Sequence, residues 1–316
     1  MAKQKFFTFI DLFAGIGGIR IPFEANGGEC VFTSEWDKFA QQAYTANFGD
    51  EVHGDITKVK ESDIPKHDVI LAGFPCQPFS HAGLKEGFSD TRGTLFFDVE
   101  RIARHHKPKV MLLENVKGLV SHDKGRTLQV ILKSLDQLGY WVEHKVLNAK
   151  DFGVPQNRER IYIVAYSKRY FKDGAFSFPI PPKKETQVGD ILESRVDPKY
   201  TISDRLWAGH QRRKLEHEAK GNGFGYSMFK SSSPYTSTIS ARYYKDGSEI
   251  LIAQRGKNPR KLTPREAARL QGFPEWFEIN SSDTQAYRQF GNSVAVPVIE
   301  AVAKKIVRLL STSSPS

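Results

Sequence analysis

The sequence predicts an α/β protein: a doubly wound, mostly parallel sheet with a second, smaller domain rich in loops and short strands. Two observations carry this prediction. In the first half, short β-rich runs alternate with helical stretches, the pattern of parallel strands joined by crossover helices. After about Tyr170 the texture changes to Pro, Gly and Ser, and no such alternation survives. The strand runs are FFTFIDLF (6–13), CVFTSEW (30–36), VILAGF (69–74), VMLLEN (110–115) and RIYIVAY (160–166). Between them, residues 37–48, 94–106 and 125–139 read as helices. FPIPPKKE reads as a linker, and from about Gln285 a small-residue turn leads into an apolar-periodic helix that can return to the first domain. The expected division is 1–178 plus 285–316 as the cofactor-binding and catalytic domain, with 179–284 as the second domain. The final STSSPS is expected to fray.

The 316 residues suit about two domains, and 39% hydrophobic with 26% charged residues excludes a disordered or fibrous chain. No apolar run reaches the ~18 residues of a membrane helix and no signal-peptide core completes before Asp11, so a cytoplasmic protein is expected. Two cysteines, Cys30 and Cys76, are too few for a disulfide scaffold. The formal charge is +10, and fourteen Lys/Arg against five Asp/Glu between Arg205 and Arg269 account for nine of those ten charges. That concentration points to a polyanionic partner.

DLFAGIGG (11–18) lies where the first strand turns into a helix, with Gly15, Gly17 and Gly18 allowing close approach of backbone to a ligand. The spacing matches neither the dinucleotide pattern nor the P-loop, and adenosylmethionine fits better than NAD or ATP. Glu35, at the end of the second strand, is placed to accept hydrogen bonds from both ribose hydroxyls of an adenosine. Trp36 can pack on the adenine, while Asp55 and Ile56 in GDIT can hold its edge by a hydrogen bond and an apolar contact. Taken singly, each also reads as an ordinary surface carboxylate, core aromatic or helix cap.

The chemical centre is AGFPCQPFS (72–80), an apolar strand running into Pro-Cys-Gln-Pro. A cysteine on a Pro-flanked loop at the carboxyl end of a strand is where such sheets present reactive groups, so Cys76 is the expected nucleophile and Cys30 a packing thiol. A cysteine-protease reading would need a His and Asn/Asp pair that the sequence does not reveal, and it leaves the cofactor features unexplained. Glu114 ends the apolar LLENV run, so its desolvated carboxyl can share a proton with a ring nitrogen of a base. Arg158 and Arg160 in QNRERIYIV stand on one side if extended, where two guanidiniums can clamp a base carbonyl and a phosphate. Nothing calls for a metal.

In this order, DLFAGIGG, GDIT, GFPCQPFS, DTRGTLFFDV, ENVKGL, QNRERIYIV, TPREAARLQGFP and QFGNSVAVPV resemble the motifs of bacterial cytosine-5 DNA methyltransferases of restriction-modification systems. The resemblance covers nearly all of the catalytic half and the C-terminal return. It implies a Rossmann-like, adenosylmethionine-dependent methyltransferase fold. It further implies attack of Cys76 on C6 of a flipped cytosine, Glu114 holding N3 and its proton, and Arg158 and Arg160 positioning the base. Implied cofactor contacts are Phe13, Gly15, Gly17, Glu35, Trp36, Asp55, Ile56, Pro75, Leu95 and Asn292.

Extrusion of the base costs a few kcal/mol of unstacking, and the resemblance implies that HAGLKEGFSDTRG (81–93) closes over it. Gln77, Ser80, Ala82 and Lys85 are the implied DNA contacts there. The basic window becomes a target-recognition region, in which GNGFGYSMF and TISARYYKDGSEILI look like the stretch used by Dcm and EcoRII-like enzymes on short GC-rich sites. Arg242, Lys245 and Arg255 are its expected DNA contacts. Double-stranded DNA is the implied partner, with a cognate restriction endonuclease alongside. A monomer in the bacterial cytoplasm, associated with the nucleoid, is expected. The competing readings are a tRNA cytosine methyltransferase, a catalytically silent DNA-binding protein of the same fold and an NAD-dependent oxidoreductase. The last leaves PCQ, ENV and the basic window without a task.

Overall fold

The computed structural model describes residues 5–75, 95–223 and 225–313. The chain divides into two compact units. The first comprises residues 1–147, 159–180 and 298–316, and the second 148–158 and 181–297. Relative to the expected division, the stretches 148–158 and 285–297 cluster with the second unit.

The first unit is built on a six-stranded sheet. Its strands are β1 (Phe7–Leu12), β2 (Gly28–Ser34), β3 (Val69–Ala72), β4 (Val110–Val116), β5 (Tyr140–Asn148) and β6 (Glu159–Ser167), in the order β2-β1-β3-β4-β6-β5. Strands β1 to β4 are parallel and β6 runs antiparallel to β4. VILA in β3 is buried throughout and VMLLEN in β4 likewise, because elements cover both faces of a parallel sheet. On this sheet pack helices that include α2 (Lys38–Phe48), α3 (Phe96–His106) and α4 (Arg126–Gln137). Leu128, Ile131 and Leu135 of α4 join Val99, Ile102, Met111, Leu113 and Ile163 in one core. Asp37 caps α2 by accepting from Ala40 N at 2.9 Å, and Gly49, with φ of +76°, ends it.

All five predicted strands and three predicted helices form. The helix expected after the glycine turn forms as the short α1 (Arg20–Ala25), which has no capping side chain; the sequence did not predict β5. Strand β5 lies at the edge of the sheet with Glu143, His144 and Lys145 exposed at its centre, so the alternation that would betray a strand is missing.

Among the described residues, the second unit meets the expectation of short strands only in β7 (Met228–Phe229) and β8 (Leu251–Ile252), a parallel pair. Its regular structure is mainly helical: α5 (Asp204–Ala219), α6 (Pro264–Leu270) and α7 (Asp283–Asn292). Helix α5 escapes pattern reading because His210 is its one buried residue. The last helix, α8 (Val296–Leu310), starts in the second unit and continues into the first. No helix among the described residues is long and apolar enough to cross a membrane.

Candidate active site

The register of the parallel strands creates one functional edge in the first unit. Leu12 pairs with Ser34 and Ala72, and Ala72 with Leu113. The next residues along each strand, Phe13, Glu35, Gly73 and Glu114, therefore emerge side by side at the carboxyl ends, where open α/β sheets bind ligands.

At one end of this edge the chain bends sharply after β1. Phe13, Gly15 and Gly17 all have positive φ, at +55°, +54° and +83°. Left-handed backbone at a bulky non-glycine residue costs of order 1–3 kcal/mol and persists where surrounding structure enforces it. A Cβ on Gly17 would come within 2.3 Å of the Phe48 ring. Glu35 pins this loop: one carboxylate oxygen accepts from Gly15 N and the other from Asp37 N, both at 2.8 Å. Burial pushes the Glu35 carboxyl above its ordinary range, against the pull of the Asp37, Gly15 and Trp36 amides. Each oxygen keeps a second lone pair, so a buried carboxylate with acceptor capacity stands beside backbone brought close by the turn. That donor and acceptor set fits the ribose of an adenosine cofactor. Trp36 next to it is 81% exposed, an uncovered indole face.

Asp55 follows β2 through an added parallel bridge between Ser34 and His53. Its carboxylate accepts from Thr57 N at 3.0 Å and from Thr57 Oγ1 at 2.8 Å, so it caps the next turn, and these bonds hold it below the usual range. Ile56, next to it, is 2% exposed and packs in the core of the unit. Pro75 is exposed and Leu95 half-buried at the start of α3.

At the other end of the edge stands Glu114, 9% exposed. The desolvation expected from its apolar run is observed, and Arg160 lies beside it with Nε 3.3 Å from Oε1. The two are diagonal neighbours on one face of the β4–β6 pair, since Glu114 faces Tyr162 and Val116 faces Arg160. A Cβ on Gly73 would meet Glu114 Oε2 at 3.7 Å. Asn115, which sequence reasoning passed over, is 3% exposed and donates from Nδ2 to Phe74 O at 2.9 Å. It thereby ties β4 to the segment leading into Cys76; the signal was a buried-strand terminus carrying an amide. Cys76, Gln77, Ser80, Ala82 and Lys85 lie outside the described residues.

Cys30 lies within reach of Thr33 Oγ1 at 3.4 Å, and burial pushes its thiol up to about 11, an unreactive packing group. Beneath the glycine turn, burial raises Asp11 to about 8, with Tyr44 donating to it at 3.2 Å.

The expected pairing of Arg158 with Arg160 is corrected. Strand β6 begins at Glu159, and Arg158 belongs to the second unit. There its guanidinium, 2% exposed, donates to Ile239 O at 3.0 Å, to Gly291 O at 3.1 Å and to Ser293 O. It is occupied by backbone carbonyls, whereas Arg160 faces the Glu114 carboxylate. Asn292, between two of those carbonyls, is exposed.

The basic window separates in the same way. Arg260 forms a buried pair with Glu266, Arg269 a two-bond pair with Glu275, Arg213 a pair with Asp246, and Arg265 donates to Phe277 O. Arg242, Lys245 and Arg255 are exposed. Sequence reasoning missed Gln156 and Gln271, each fully buried and hydrogen-bonded.

Comparison with known proteins follows the same lines. A family model described as C-5 cytosine-specific DNA methylase matches residues 7–308. The chain is 62% identical over 308 residues to the type II methyltransferase M.SsoII of Shigella sonnei, covering 97% of this chain and 81% of that one. It is 64% identical over 311 residues to the type II methyltransferase M.NlaX of Neisseria lactamica, covering 98% of each. Among solved structures, the Dnmt2 methyltransferase of S. pombe superposes with a TM-score of 0.76 at 22% identity, over 97% of this chain and 100% of that chain.

Proposed function

The chain belongs to the C-5 cytosine-specific DNA methylase family, and on that premise we propose that Cys76 is its nucleophile, with Glu114 and Arg160 meeting the target base. The protein transfers a methyl group from S-adenosylmethionine to C5 of cytosine in DNA, through the covalent cysteine adduct general to the family. The observation that carries the residue assignment is the sheet edge. Gly73 lies against Glu114, Asn115 holds Phe74 O, and Cys76 follows two residues later in the chain.

In this reading the Cys76 thiolate bonds to C6 of a cytosine extruded from the duplex. The C5=C6 electron pair then localises on C5, while Glu114 shares its proton with N3 and so relieves the developing charge on the ring. Arg160 orients the Glu114 carboxylate. The cofactor supplies the electrophilic methyl group; loss of the C5 proton then expels Cys76 and restores the ring. Phe13, Gly15, Gly17, Glu35, Trp36, Asp55, Ile56, Pro75, Leu95 and Asn292 are the proposed cofactor contacts. Glu35 takes the ribose hydroxyls, a role supported by its two backbone anchors and remaining acceptor capacity.

The second unit reads the target, with Arg242, Lys245 and Arg255 as its exposed DNA contacts. Its GNGFGYSMF and TISARYYKDGSEILI stretches support a Dcm or EcoRII-like preference for a short GC-rich site. The type II designation of the relatives supports a cognate restriction endonuclease and a cytoplasmic enzyme; a monomer is proposed alongside. The decisive experiment follows labelled methyl transfer to DNA and to tRNA by wild type and Cys76→Ser. Transfer to DNA alone, abolished in Cys76→Ser with specific DNA binding retained, is the expected result. Near-normal turnover by the variant overturns the assignment.

A further inference from the structure

The segment 155–158 is where the second unit is stitched together, and the stitching is unusual in relying on two buried side chains. It runs alongside 236–239: Thr236 N donates to Pro155 O at 2.8 Å, Asn157 N to Thr236 O at 2.9 Å, and Thr238 Oγ1 to Asn157 O at 2.6 Å. At Ile239 the backbone pairing ends and side chains take over. Ile239 N donates to Gln156 Oε1 at 3.1 Å, and Ile239 O accepts from Arg158 Nη1 at 3.0 Å. One peptide residue is thus gripped on both its polar groups.

The same two side chains reach a third segment. Gln156 Nε2 donates to Leu270 O at 3.0 Å and Gln271 Oε1 at 3.1 Å, and Gln271 Nε2 donates in turn to Phe290 O at 2.6 Å. Arg158 Nη2 holds the carbonyls of Gly291 and Ser293. Gln156 is 0% exposed and Arg158 2%. The planar guanidinium spans separate carbonyls in fixed directions, which the single ammonium of a lysine cannot reproduce. The carbonyls of Ile239, Gly291 and Ser293 come from two separate stretches of chain, so these three bonds fix the chain path.

Ile239 leads directly into the turn that carries Arg242 and Lys245. Arg242 N donates to Ser240 Oγ, and Ser240 Oγ bonds Glu249. Against this turn lies Gly291, where a Cβ would come within 2.3–2.4 Å of the Ser240 carbonyl and Ala241 N. The backbones of 240–241 and 291 are in contact, and Arg158 holds the chain at both sides of that contact.

We propose that Arg158 is a positioning residue for DNA reading: it sets the 240–245 turn against the 291–293 backbone, and it does not touch the target base. The inference rests on the reading of Arg242 and Lys245 as DNA contacts. It gives Arg158 a role different from that of Arg160, whose neighbour is the Glu114 carboxylate.

The test compares Arg158→Lys, Arg158→Ala with and without added guanidinium ion, and Arg160→Lys. The substrates are a duplex carrying the site mapped by bisulfite sequencing of DNA from cells expressing the chain, and duplexes with one base of that site changed. Arg158→Lys is expected to raise KM for DNA about tenfold or more, the loss of one charge-assisted bond, and to erode discrimination against the altered duplexes. The effect on KM exceeds that on kcat, and guanidinium partly restores Arg158→Ala. Arg160→Lys shows the opposite split, with the larger effect on kcat. A fall in kcat for Arg158→Lys with KM and discrimination as in wild type overturns the proposal. Should Arg158→Lys fail to fold, Gln156→Ala carries the same readout, since it removes the partner of Ile239 N and leaves the guanidinium; intact discrimination there overturns it too. Arg242→Ala and Lys245→Ala separate the two layers. If both leave DNA affinity unchanged, the reading of the turn falls and the positioning role with it. If they weaken binding while Arg158→Lys leaves discrimination intact, the positioning role alone falls.

Discussion

The two units reach order by different means. In the first, the sheet and its covering helices bury a continuous hydrophobic core from Ile10 to Ala165, and functional groups appear where that core stops, at the strand ends. In the second, two strands of two residues each supply little ladder, and polar side chains bind distant backbone instead. Tyr243 donates to Ile250 O at 2.7 Å and accepts from Leu262 N at 2.8 Å, and Tyr287 donates to Leu262 O. The difference teaches where each unit tolerates change. A sheet edge can exchange its terminal residues without losing its core, whereas a unit held by satisfied buried polar groups depends on every member of the network.

Glu266 offers the harshest break of this contrast. It is fully buried, and its two oxygens accept from Arg260 Nη1 and Nη2, Thr263 N and Glu193 N at 2.7–2.9 Å. Glu266→Ala leaves a buried guanidinium without its anion and two amides without acceptors. Removing one partner of a buried pair costs about 3–5 kcal/mol, and denaturant unfolding should record a loss of that size. A loss below about 1 kcal/mol, the range of exposed pairs, would show that the polar network does not hold the second unit.

Glu35 sharpens the other side. Because it lies beyond the last paired residue of β2, Glu35→Ala is expected to spare the fold and weaken S-adenosylmethionine binding by roughly 10–100-fold, the worth of one or two charge-assisted hydrogen bonds. Titration calorimetry measures this directly, and unchanged affinity would refute the ribose role. The pH dependence has a definite sign. Burial holds the carboxyl above the ordinary carboxylate range, so acidification protonates it and removes acceptor capacity sooner than at an exposed carboxylate. Cofactor affinity in wild type should therefore fall on acidification, and that slope should flatten in Glu35→Ala.

The same contrast explains what could be read from the sequence. Strands β1, β3, β4 and β6 were legible because burial on two faces writes largely apolar runs, and Glu114 because a carboxylate breaks such a run at its end; β2, an edge strand of sequence GECVFTS, was legible from its β-rich composition, and Glu35 from its place just after it. Strand β5, at the sheet edge, writes no such run. Arg158 was misread as a partner of Arg160 because two-residue spacing implies a shared face only within one strand, and the strand starts between them. Carbonyls it bonds lie 81, 133 and 135 residues away, separations that no local periodicity encodes. Asn115 and Gln271 were overlooked because an amide is recognisable as structural only once its backbone partner is known.

The smallest expected effect concerns the charge excess of the second unit. Of the cations between Arg205 and Arg269, Arg213, Arg260 and Arg269 face carboxylates within their own unit, so the excess available to a polyanion rests on the remaining cations. Arg242, Lys245 and Arg255 are exposed, and at those positions a phosphate contact releases condensed counterions. The logarithm of DNA affinity should fall linearly with the logarithm of salt concentration, with a slope near 0.9 for each phosphate neutralised, while S-adenosylmethionine affinity changes little. If Arg242 touches a phosphate, Arg242→Ala lowers the slope by about one and weakens all duplexes alike. If it reads a base edge, the slope holds and the loss, about 1–3 kcal/mol, appears only on the target sequence. Arg269→Ala is the control: engaged with Glu275 through two hydrogen bonds, it should leave the slope unchanged. A slope that falls equally in both variants would mean that the internal ion pairs open on DNA, and that the formal charge measures the binding surface better than the exposed residues do.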